Sequence, residues 1–179
     1  MSKLVKVLSA VAVMILGLTT LVGCGYNFYE DWSEAGAEIE KTNVFEAIDL
    51  EKAKSKIEND DSFVLVIGCS QSNVAVTSVS TIQELADYYE YNGKLFFVDA
   101  TEYISNMSVR NELKTALGIK EPIMSTTSSD VIIVIYEQGE IKLDSSNMKY
   151  DENYFEEFQL NGSLNVEALA AYIFVDYKA

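Results

Sequence analysis

Three runs of β-branched and aromatic residues constrain this chain most: FVLVIG at 63–68, LFFVDA at 95–100 and VIIVIY at 131–136. A strand solvated on one face alternates apolar with polar residues, whereas a continuous apolar run needs cover on both faces. The segments between the runs supply that cover. Val79, Ile82, Leu85, Ala86 and Tyr89 repeat at three- and four-residue spacing and stop at Asn92-Gly93, which predicts a long amphipathic helix. Met107 to Leu117 reads as a second helix with Gly118 just past its end, the usual place for a left-handed cap. Leu50, Ala53 and Ile57 share one face of an earlier helix, and Val166, Leu169, Ala170, Ile173 and Tyr177 mark a closing one. Strands separated by helices pair in parallel through crossovers. The third run instead turns through Glu137-Gln138-Gly139 into Glu140 to Leu143, a predicted antiparallel hairpin. The expected order is helix, strand, helix, strand, helix, strand, strand, helix. That is an α/β fold with a central mixed sheet and helices on both faces.

The first 23 residues read as a signal peptide. Lys3 and Lys6 form a basic start, residues 7–22 (VLSAVAVMILGLTTLV) are nearly all apolar or small, and Gly23 is a small exit residue. Residues 24–43 are expected to form a tether, with Tyr26, Phe28, Tyr29 and Trp32 suited to a membrane–water boundary and weak helicity around Glu34 to Glu40. The folded domain is then expected over 44–179, with a polar insertion at 144–163.

Composition narrows the chemistry. The net charge is −15 at neutral pH, so nucleic-acid phosphates would repel the chain, and a flat position on anionic lipid is disfavoured. Solubility outside the cell accounts for the charge better than an acidic binding face. There is no histidine, which removes Ser-His-Asp and Cys-His catalysis and the common zinc sites; neither a metal nor a cofactor is expected. Asp151, Glu152, Glu156 and Glu157 lack the spacing of a calcium-binding loop and read as a solvated insertion. Tyr150, Tyr154, Phe155 and Phe158 either pack that insertion onto the sheet or form a partner-binding patch.

The run Leu21-Val22-Gly23-Cys24 resembles the lipobox of bacterial lipoproteins. The resemblance implies cleavage before Cys24 and acylation of its thiol, which anchors the chain to the membrane on its extracytoplasmic face. An ordinary signal peptide or an uncleaved anchor helix would also place residues 25–179 outside the cytoplasm. With Cys24 acylated, Cys69 is the one remaining thiol and no intramolecular disulfide can form.

The element order, with the segments FVLVIG, STIQELADYY, LFFVDA, Gly118-Ile119-Lys120 and VIIVIYEQGEI, resembles the thioredoxin fold, and within it bacteriocin transport accessory proteins. The resemblance spans Phe45 to Tyr177. Active members carry Cys-x-x-Cys where the helix after the first buried strand begins, since a helix N-terminus stabilises a thiolate. Two registers are open. Aligning Leu85-Ala86-Asp87 with the end of the family helix places the motif at Ser72-Asn73-Val74-Ala75, without sulfur. The other places it at Cys69-Ser70-Gln71-Ser72, a monothiol version. On the first register Gln71 stands for the family's tryptophan and Val66 for its buried acid. The family's cis-proline position falls at Asp130 or Val131, while the one proline, Pro122, lies upstream in the loop Glu121 to Asp130.

Dithiol exchange needs an attacking and a resolving sulfur, so the resemblance implies a redox-degenerate domain. It would bind another exported or membrane protein through residues 69–75 and the loop with Glu121, Pro122, Asp130 and Val131, in secretion or maturation. Two alternatives stay open: a monothiol thiol–disulfide oxidoreductase using Cys69, and a structural or solute-binding lipoprotein of the envelope. Ser72 has no base to activate it and reads as a helix cap. Cys69 is either a reactive monothiol or a buried strand-end residue.

Overall fold

The computed structural model of the chain describes residues 27–104, 106–121, 130–147, 158–160 and 163–177. The signal segment, Cys24, Pro122 and residues 148–157, which carry the acidic cluster and three of the insertion aromatics, lie outside the described residues.

The three apolar runs become the centre of a five-stranded sheet. Its strands are β1 (Phe45–Ala47), β2 (Phe63–Gly68), β3 (Leu95–Asp99), β4 (Ile132–Glu137) and β5 (Glu140–Asp144), in the order β1-β3-β2-β4-β5. β1 and β2 both run parallel to β3, β4 is antiparallel to β2, and β5 is antiparallel to β4. The architecture is thus α/β with a mixed sheet, compatible with a thioredoxin-like fold. Each residue of β2 is buried, and its side chains alternate between two cores. Val64 and Val66 enter one core; Phe63, Leu65 and Ile67 enter the other. This two-sided burial is what the unbroken apolar run demanded.

Helices α2 (Leu50–Glu58) and α4 (Met107–Leu117) cover one face with Leu50, Ala53, Leu113 and Leu117. The other face is covered by α1 (Phe28–Glu34), α3 (Asn73–Tyr88) and α5 (Val166–Ala171), which continues as a π-helical turn over Tyr172–Asp176. Local chemistry sets the ends. Asp49, Ser72, Asn106 and Asn165 each accept a backbone N–H from the first turn that follows. Gly118 closes α4 at φ 67°, in the left-handed region glycine enters without penalty. In the β4–β5 turn Gln138 and Gly139 both have positive φ, at 52° and 75°, as a tight hairpin requires. A Cβ on Gly139 would lie 2.5 Å from the Ile57 carbonyl oxygen.

The N-terminal boundary differs from the sequence expectation. Residues 27–43 are not a tether: Phe28 and Trp32 of α1 are buried, Trp32 completely. They form an aromatic cluster with Phe45 and Phe97, Phe28 stacking on Trp32 at 5.7 Å and meeting Phe45 at 4.7 Å. The helix covers 28–34 rather than the acidic stretch, and residues 37–40 have no regular structure. The short strand β1 was also not foreseen. The third apolar run is displaced by one residue, to 132–137, and the second ends at Asp99.

Candidate functional site

In this architecture the junction from β2 to α3 lies at the end of the sheet where the parallel strands finish, the usual place for ligands in α/β folds. β2 ends at Gly68, whose carbonyl accepts the Ala100 N–H at 2.7 Å. A Cβ on Gly68 would meet Phe97 at 3.0 Å and Trp32 at 3.1 Å, so α1 presses directly against this junction. Cys69 follows, fully buried in the core that holds Ile67, Val98, Ala100 and Ile104. The Thr101 hydroxyl donates to its Sγ at 3.4 Å. Ser70 and Gln71 turn the chain, and the Ser72 N–H donates to the Cys69 carbonyl at 2.9 Å.

Ser72 is fully buried and caps α3, its Oγ accepting the Ala75 N–H at 3.4 Å. Asn73 and Val74 are exposed in the first turn, and Ala75 is buried beneath them. The structure therefore places Ser72-Asn73-Val74-Ala75 across the start of α3, while Cys69 sits before the turn, inside the core. Neither position offers an accessible sulfur.

The second element of the site is Asp130, the described residue at which the loop re-enters the fold. Its Oδ1 accepts the Ser78 hydroxyl at 2.6 Å and the Val131 N–H at 2.7 Å. Burial pushes the Asp130 carboxyl up from the usual range, and the two hydrogen bonds pull it back only in part. The peptides of the described residues are all trans. Asp130 thus clasps the second turn of α3 to the entry of β4.

The other stem of the loop is pinned as well. Asp144 is buried at the end of β5, where it accepts the Lys120 N–H at 2.8 Å and the Ser146 N–H at 2.9 Å. The Glu121 N–H donates to the Ser146 hydroxyl at 3.0 Å. Glu121, Asp130 and Val131 thus frame the loop, and Pro122 lies outside the described residues. Ser78, Asp144 and Ser146 were missed by sequence reading. The run Asp144-Ser145-Ser146-Asn147 carries the local signal of a turn that hydrogen-bonds its own backbone; the pairing of Ser78 with Asp130 across 52 residues carries none.

Chemically the described residues of the site offer hydroxyls, an amide and a half-buried carboxylate, and among them no accessible nucleophile stands beside a base. Among the described residues no cluster of three or more acidic or sulfur side chains is arranged to hold a metal. Phe158, the insertion aromatic among the described residues, is buried against the α5 face and packs on Tyr172 at 5.4 Å. Neither a scan against protein-family models nor a comparison with curated proteins gives a match for this chain.

Proposed function

We propose that this protein is a membrane-anchored, extracytoplasmic lipoprotein whose thioredoxin-like domain binds a polypeptide of another exported or membrane protein instead of exchanging disulfides. The observation that carries this reading is the sulfur-free first turn of α3, with Cys69 wholly buried. Thiol exchange needs a thiolate that a second disulfide can reach. The exposed Asn73 and Val74, flanked by the Asp130 clasp, give a polar and apolar face of the kind that recognises backbone and side chain together. The burial of Cys69 also speaks against a monothiol oxidoreductase. The anchor rests on Leu21-Val22-Gly23-Cys24, and a role in secretion or maturation rests on the family likeness alone.

Three measurements test the proposal. Insulin-disulfide reduction by residues 25–179 should equal that of the Cys69→Ser variant, both at the uncatalysed rate; a faster wild type sinks the binding reading. In cells, a photo-crosslinker at Val74 should give a discrete protein adduct that one at Met107, exposed on the opposite helical layer, does not. Cys24→Ser should abolish both palmitate labelling and recovery in the membrane fraction.

A further inference from the structure

The fold also determines which end of the domain a lipid at Cys24 brings to the membrane. Two residues separate Cys24 from Asn27, the cap of α1, and the three Cα–Cα steps between them span at most about 11 Å. A domain held that closely must rest some surface on the bilayer, and α1 identifies the surface. Phe28, its first residue, packs on Phe45, the first residue of β1. Trp32, one turn later, reaches Gly68 at the last residue of β2. Asn27 therefore leaves the molecule where the parallel strands begin, at the end opposite the start of α3.

That same end carries the C-terminus of α3 and the turn into β3. Tyr88 and Tyr89 close the helix there, 77 % and 37 % exposed, with rings edge to face at 5.0 Å. On the neighbouring strand entry the Lys41 ammonium lies 6.0 Å from the centre of the Tyr29 ring, and Lys94 donates to the Asn43 carbonyl. Tyrosine has an apolar body and a polar tip suited to the headgroup level, and lysine can extend its charge to water. Glu40, Asp87 and Glu90 share this end, so attraction to anionic lipid does not hold it in place. The tether does, by keeping the surface at a high effective concentration against the bilayer.

We infer that the Tyr88–Tyr89 end of the domain lies in the lipid–water interface, leaving the start of α3 and the Asp130 clasp facing away from the membrane. This rests on the anchoring reading above, and the experiment separates the two. The full lipidated chain, in a Cys69→Ala background, carries a fluorophore at Asn92→Cys or at Gln71→Cys, both exposed. Gln71 precedes α3 and Asn92 follows it, and the 16-residue helix between them is about 24 Å long. The protein is reconstituted in phosphatidylcholine vesicles doped with lipid bearing a nitroxide on its headgroup. Quenching should be severalfold stronger at 92 than at 71, and Tyr88→Ser with Tyr89→Ser should weaken it at 92 while the protein still floats with the vesicles. Equal or stronger quenching at 71, or no effect of the tyrosine substitutions, overturns the orientation and leaves the anchor standing. Failure to float with vesicles overturns both.

Discussion

At the scale of single residues, burial decides what Cys69 and Asp130 can do. Cys69 has no exposed surface and receives the Thr101 hydroxyl. It should resist alkylation in the folded domain and react at the free-thiol rate in urea, and rapid labelling of folded protein would contradict its place in the core. Ser72→Ala removes the cap of α3 and should cost about 1 kcal/mol in urea unfolding, with no change in insulin reduction. Asp130 predicts a pH dependence whose sign follows from its environment. Its folded carboxyl is harder to ionise than the unfolded reference at 3.8. Its contribution to stability is therefore full below that value and is lost as pH rises through the raised folded one. Asp130→Asn keeps an oxygen for Ser78 and Val131 without the charge. The variant should melt higher than wild type at pH 7, and its advantage should shrink as the pH approaches 4; an unchanged difference across that range would locate the effect elsewhere.

Among the elements, α1 decides where the domain starts. Trp32 is wholly buried against Phe97 and within reach of Gly68. Trp32→Ala should cost about 3–5 kcal/mol, and a chain starting at Lys41 should unfold at markedly lower urea than one starting at Asn27. Equal stability of those two chains would make α1 an appendage. This was the part of the fold least legible in the sequence. β2, α3, α4 and the β4–β5 hairpin could be read because a continuous apolar run, a 3.6-residue period or a Gln-Gly turn spans enough residues to show a pattern. α1 has seven residues and β1 three, too few for a period, and their aromatics have meaning only against Phe97, more than 50 positions away. The Asn27 cap and the acidic first turn of α1 at Glu30 and Asp31 were its local signals. At the site, Ser72 was readable as a cap because its partner is three residues distant. The Ser78–Asp130 clasp was not, because it exists only once β4 lies beside β2.

For the whole molecule, the balance of charge decides how the fold responds to salt. The described ion pairs, Lys52–Glu46, Lys54–Glu51, Lys56–Asp61 and Lys142–Glu137, each have at least one side chain more than a third exposed, and such pairs contribute little. Against them stands a net charge of −15, whose mutual repulsion favours the expanded chain. Salt weakens both effects, but the repulsion is summed over many distant carboxylates and extends furthest when the Debye length is longest, about 30 Å at 10 mM. Repulsion should therefore dominate the response. Raising sodium chloride from 10 to 150 mM should raise the Tm of residues 25–179 by a few degrees, given that ~1 kcal/mol moves a domain of this size by about 2–4 °C. A Tm that falls with salt would mean that the ion pairs outweigh the repulsion and that the acidic surface is organised to hold the fold together. A rise would mean that the carboxylates are carried at a cost to stability, their mutual repulsion outweighing the four described ion pairs.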